Sequence, residues 1–177
     1  SAKRKLDEIR KLPTGRADGA DKRYEDALAA LLPTLLYPEL DFAEAQVRTC
    51  SGVSIRDLIF YNTRVEPFLG DLGRDYDSRQ IIFEMKNVQS VSREDIDQLH
   101  RYLPPAIGRF GVIVTRNELP SARQKQVVDL WSSRRVAIIG ITDVDLAQMV
   151  EVFETKQRKP VEVLLKKYLE FQRLLPN

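Results

Sequence analysis

Two stretches decide how this chain is read: V-S-I-R-D-L-I-F-Y-N at residues 53–62 and Q-I-I-F-E-M-K at residues 80–86. Both alternate in the manner of strands, whose successive side chains point to opposite faces. In the first, Val53, Ile55, Asp57, Ile59 and Tyr61 share one face, and Asp57 is the misfit on an apolar surface. In the second, Ile82, Glu84 and Lys86 share one face. A lone carboxylate is costly to bury unless a cation or several donors compensate it. If the two strands are neighbours, Asp57, Glu84 and Lys86 meet. Two carboxylates and an ammonium group in one partly desolvated place suit a hard divalent cation and a phosphate.

Working outward, residues 1–20 are basic and then Gly/Asp-rich, and read as a short helical piece and a loop leading into one domain over 21–177. A helix is expected from Asp21 as cap, with Tyr24, Leu28, Leu31, Leu32 and Leu35 on its inner side and Pro33 kinking or ending it. Residues 40–49 alternate as a further strand. Residues 63–79, charged and carrying Gly70 and Gly73, read as a long connection. S-R-E-D at 92–95 resembles a capping box opening a helix that Pro104-Pro105 closes. Strands are expected at 110–115 and 136–142, and helices at 121–132, after Asp143, and after Pro160. Three consecutive strands imply antiparallel pairing, and the later alternation implies a parallel half. The fold class is therefore α/β, a mixed central sheet flanked by helices, with extra C-terminal helices.

Composition narrows the chemistry. The chain has 177 residues, 43% apolar and 31% charged, with a net charge of +2, the profile of an ordinary globular domain. One cysteine, Cys50, rules out an intramolecular disulfide and a Cys-rich zinc site, and Cys50 reads as structural. One histidine, His100, rules out a two-His metal site within one chain. There is no P-loop motif and no apolar run long enough to span a membrane. The N-terminus lacks a signal-peptide core, so a cytoplasmic, intracellular location is the expectation. The chain does not begin with Met, which fits a part of a larger multidomain protein.

The pattern D(57)…E(84)-x-K(86) on the second and third strands of an αβββαβ core resembles the PD-(D/E)xK restriction-endonuclease-like nuclease superfamily. The resemblance covers roughly residues 21–142. The first long helix carries Glu25, where many members place an auxiliary acidic residue. The helix after the third strand carries Gln98 and Tyr102, spaced like the Q-x-x-x-Y signature of exonuclease and resolvase-type branches and on one helix face. Arg56 stands before Asp57 where some members have Pro, and the stretch at 63–79 is longer than the family's usual hairpin.

The resemblance implies a metal-dependent deoxyribonuclease. Asp57, Glu84 and the main-chain carbonyl of Met85 would hold Mg²⁺, or Mn²⁺ in its place, with Glu25 as an outer or second-metal ligand. Lys86 would hold the attacking water and offset charge on the transition state. Gln98 and Tyr102 would orient the phosphate or Lys86. The setting implied is restriction, anti-phage defence or DNA repair. DNA is the expected partner, with Lys22, Arg23, Arg64, Arg74, Arg79, Arg93 and Arg116 as phosphate-contacting cations. His100 reads as surface or DNA-proximal. The last helix, with Val161, Leu164, Leu165 and Tyr168, is a candidate homodimer face whose simpler reading is packing on its own sheet. The alternative function is a catalytically silent nucleic-acid-binding or protein-interaction domain of the same fold, its acidic cluster a structural set of ion pairs.

Overall fold

The computed structural model describes residues 1–50 and 52–177; Ser51 and the side chains of Cys50 and Val53 lie outside the described residues, and with them the reading of Cys50. The elements run α1 (Ala2–Lys11), a 3₁₀ turn (Ala17–Gly19), α2 (Ala20–Leu36), β1 (Leu40–Cys50), β2 (Val53–Asn62), α3 (Pro67–Tyr76), β3 (Gln80–Met85), α4 (Arg93–Tyr102), β4 (Phe110–Val114), α5 (Ser121–Arg134), β5 (Ala137–Ile141), α6 (Asp143–Thr155) and α7 (Val161–Leu174). The strands form one sheet in the order β1-β2-β3-β4-β5. β1, β2 and β3 pair antiparallel, while β3, β4 and β5 pair parallel. This is the mixed α/β sheet the element order implied. Among the described residues no helix is long and apolar enough to cross a membrane.

The parallel strands β4 and β5 read as continuous apolar runs because they are covered on both sides. Phe60, Phe83, Phe110, Val112 and Ile138 are closed off from solvent in the same core. Gly111 on β4 lies in register with Ile82 and lets α4 approach: a Cβ there would meet Leu99 Cδ2 at 3.2 Å. That contact fixes α4 on the sheet face that carries Ile82 and Glu84.

Four local expectations are corrected. The connection at 63–79 contains α3, begun by Pro67 in its first turn and anchored by buried Phe68, Leu69, Leu72 and Tyr76. Its two glycines sit inside the helix, where packing outweighs their poor propensity. Asn62, buried at the end of β2, donates to the carbonyls of Leu69 (2.9 Å) and Ser78 (3.0 Å) and ties both ends of that excursion to the sheet. α2 begins one residue before Asp21, after Gly19 in the left-handed region, and runs through Pro33 to Leu36 because Leu31, Leu32, Leu35 and Leu36 are buried on either side of the proline. Thr142 rather than Asp143 caps α6, in a reciprocal box with Asp145. Finally, the N-terminal stretch packs into the same core: Ala2, Leu6 and Ile9 of α1 are buried. On α7, the apolar stripe considered as a dimer face is occupied within the chain, with Val161, Leu164 and Tyr168 buried and Leu165 packed against the core.

Candidate active site

β2 and β3 bring the two carboxylates together by register: Asp57 pairs directly with Glu84. Cross-strand partners share a face, so the side chains stand beside each other. Both are fully buried. The next strand out adds a residue the sequence reading did not single out. Gln46 is the register partner of Asp57 on β1, and Arg48, two residues on, lies on the same face. Arg48 Nε donates to Asp57 Oδ2 at 2.8 Å and its Nη2 to Glu84 Oε1 at 2.5 Å. One guanidinium thus forks across both carboxylates.

Arg48 is held from its other side by Tyr102. The guanidinium carbon lies 3.9 Å from the centre of the Tyr102 ring, a cation–π contact, and Tyr102 donates its hydroxyl to Gln46 Oε1 at 3.1 Å. Tyr102 therefore does belong to this cluster, as a platform for the arginine. Gln98, one turn earlier on α4, is half-buried and makes no side-chain hydrogen bond among the described residues.

Lys86 follows Met85 at the end of β3, its backbone N–H continuing the ladder to the Val114 carbonyl at 2.8 Å. Its ammonium lies 3.4 Å from Asp95 Oδ1. Asp95 is the third residue of α4 and closes the Ser92 capping box with its other oxygen. The capping box thus orients the lysine's partner. Lys86 remains electrostatically coupled to Glu84, Asp57 and Glu25, favouring the charged form of each.

Glu25 of α2 is placed differently. It lines a cleft of about 180 Å³ with Arg16, Asp21, Met85, Lys86, Asn87 and Asp95, next to the lysine rather than between the paired carboxylates. The wall of that cleft is built by the N-terminal stretch. Asn87 donates to the carbonyls of Pro13 and Gly15, both at 2.9 Å, and its own carbonyl accepts from the Gly15 N–H at 2.8 Å. Arg116, expected among the phosphate-contacting cations, is instead buried in this wall. It donates to Asp143 (2.8 Å), Asn87 Oδ1 (2.9 Å) and the carbonyls of Leu12 (2.8 Å) and Ile9 (3.1 Å). Arg74 is also paired, with Asp71 and Asp75.

Burial dominates the electrostatics. It pushes the Glu84 carboxyl up to about 7, against the pull of Lys86 and with the charge of Asp57 adding to the rise. Burial also raises Asp57, opposed by the hydrogen bond and charge of Arg48. Glu25 is pushed up to about 7 by burial and by Asp21. Each carboxylate of the pair has one buried oxygen with no hydrogen-bond partner, Asp57 Oδ1 and Glu84 Oε2, two of seven such side-chain atoms among the described residues. Such orphans are uncommon in folded proteins and call for a partner.

Among the described residues no three Cys, His, Asp or Glu side chains gather as a cation site. The donors at hand are a pair. Mg²⁺ is commonly held by one or two carboxylates, with waters and substrate phosphate completing its shell. The two unpartnered buried oxygens fit that mode, and Arg48 satisfies the remaining two.

No family model matches the chain, and no solved structure matches it. One similarity among curated proteins is to "Putative transposon gamma-delta 80.3 kDa protein" of Escherichia coli strain K12, 32% identical over 68 residues. The match covers 38% of this chain, which spans 10% of that protein.

Proposed function

We propose that this domain is a metal-dependent nuclease of the PD-(D/E)xK restriction-endonuclease-like kind, hydrolysing phosphodiester bonds of DNA. The observation that carries the reading is the buried register pair Asp57–Glu84, each with an unpartnered oxygen, two residues before Lys86. In a protein interior two adjacent carboxylates destabilise each other, and such an arrangement is retained where chemistry uses it. The transposon-named relative adds a mobile-element setting, over a minor share of the chain.

In this reading Asp57, Glu84 and the Met85 carbonyl would hold Mg²⁺ or Mn²⁺, which would supply Lewis acidity toward the scissile phosphate. The chain's own groups do the rest. Lys86 leaves Asp95 to orient the attacking water and to offset charge developing on the phosphate oxygens. Asp95 holds the lysine in the interval. Tyr102 and Gln98 position the groups around the carboxylate pair from α4, and Glu25 lines the approach beside Lys86. Lys22, Arg23, Arg64, Arg79 and Arg93 remain as candidate contacts to the DNA backbone.

One observation favours the second reading, a non-catalytic domain with a structural ion-pair cluster: Arg48 already bonds both carboxylates. A cleavage assay on supercoiled and linear DNA, with Mg²⁺ or Mn²⁺ titrated in, separates the two. The nuclease reading expects cutting that needs the metal and disappears in both Glu84→Gln and Lys86→Ala, with DNA binding retained. No metal-dependent cutting, or cutting that survives in both variants, overturns it.

A further inference from the structure

We propose that Arg48 is the protein's built-in counter-cation for the Asp57–Glu84 pair, a latch that a divalent ion must displace to load the site. The inference rests on the metal-dependent reading above and adds to it a residue from β1. Arg48 reaches across two strands, so that Nε meets Asp57 Oδ2 and Nη2 meets Glu84 Oε1, placing a positive charge between the two carboxylates that would hold a divalent ion. Its guanidinium and such an ion therefore compete for one place.

Two features mark the contact as exchangeable rather than as a completed structural cluster. A buried ion-pair cluster stabilises only when its remaining lone pairs are also satisfied. Here Arg48 engages one oxygen of each carboxylate, and the other two, Asp57 Oδ1 and Glu84 Oε2, have no partner. Lys86, the nearby cation that could complete the cluster, is turned to Asp95 instead. The arginine also has somewhere to rest. Its far side lies on the Tyr102 ring, which Gln46 fixes by hydrogen bond, and its side chain is 14% exposed at the rim. A guanidinium so placed can leave the carboxylates while keeping its aromatic contact.

The test is Mn²⁺ binding by the whole 177-residue chain without DNA, followed by calorimetry and by the paramagnetic resonance of free Mn²⁺. Arg48→Met keeps the stem against Tyr102 and removes the charge. The latch expects Mn²⁺ to bind Arg48→Met about tenfold more tightly than wild type. It also expects Glu84→Gln to abolish binding in either background. Wild type that binds Mn²⁺ as tightly as Arg48→Met overturns the latch and leaves the nuclease reading standing. Absence of Mn²⁺ binding in both overturns the metal reading and the latch together. If Arg48→Met fails to fold, wild-type protein labelled with ¹⁵N-arginine decides. The Arg48 Nε resonance, whose N–H donates to Asp57, must move as Mg²⁺ saturates the site, and a resonance that stays put while Mg²⁺ binds overturns the latch.

Discussion

Asp57 and Glu84 face each other in register across β2 and β3, fully buried, and each keeps one carboxylate oxygen without a hydrogen-bond donor. The fold therefore bears the cost of two adjacent desolvated charges offset by one bonded guanidinium. Burial holds both carboxyls above their ordinary range, so folding without a cation favours their neutral forms.

Neutral isosteres should accordingly stabilise the metal-free protein while removing its chemistry. Asp57→Asn and Glu84→Gln are each expected to raise unfolding stability at pH 8 by about 1 kcal/mol, and to lose metal-dependent cleavage. Urea denaturation in the presence of a chelator measures the first, and the cleavage assay the second. A loss of stability in both variants would mean that the carboxylates hold the fold together as ion pairs.

Arg116 is the clamp between the N-terminal stretch and the end of the sheet. It bonds two α1-end carbonyls, Asn87 and Asp143, and lies 5.5 Å from the Tyr24 ring. Arg116→Met leaves those acceptors and a half-buried carboxylate unpaired, at an expected cost of about 3 kcal/mol. Hydrogen exchange should speed up first in α1 and at Gly15. Unchanged protection there would show that α1 is held by its apolar face alone.

His100 gives a pH dependence whose sign follows from its burial. Burial, with Arg134 and Arg101 nearby, holds its pKa below the ordinary 6.5. The folded protein then binds that proton less tightly than the unfolded chain, which carries more protons in the window between the lowered value and 6.5. Stability contributed by neutral His100 is complete above that window and declines as pH falls through it. The single imidazole signal in proton NMR should titrate below 6.5, and His100→Gln should flatten the acid side of the stability curve. A midpoint at or above 6.5 would contradict the sign.

Alternation made the antiparallel half of the sheet legible: β2 matched its expected bounds and the Asp57–Glu84 pairing followed from strand parity, whereas Lys86 lies just past the end of β3 and pairs with Asp95. Capping chemistry was equally readable in Ser92 to Asp95. α3 was hidden because Gly70, Gly73 and the seven charges of 63–79 masked the spacing of Phe68, Leu69, Leu72 and Tyr76, and only burial against the core decides that segment. Arg48 was hidden for a different reason. Its position depends on register rather than on parity. The signal was present in the hairpin: with strands ending at 50 and resuming at 53, Arg48 falls opposite Ile55 and Gln46 opposite Asp57. Counting outward from that turn places a cation diagonally across from the carboxylate. The role of Arg116 could not be read so, since its partners come from α1, the segment after β3 and α6, far apart in sequence.

The most direct measurement is a crystal of the protein soaked in Mn²⁺, with anomalous scattering used to locate the ion. The account expects one peak between the Asp57 and Glu84 carboxylates, beside the Met85 carbonyl, with the Arg48 guanidinium moved off them toward Tyr102. An anomalous map empty at that place at saturating Mn²⁺, with Arg48 still bonded to both carboxylates, would contradict it.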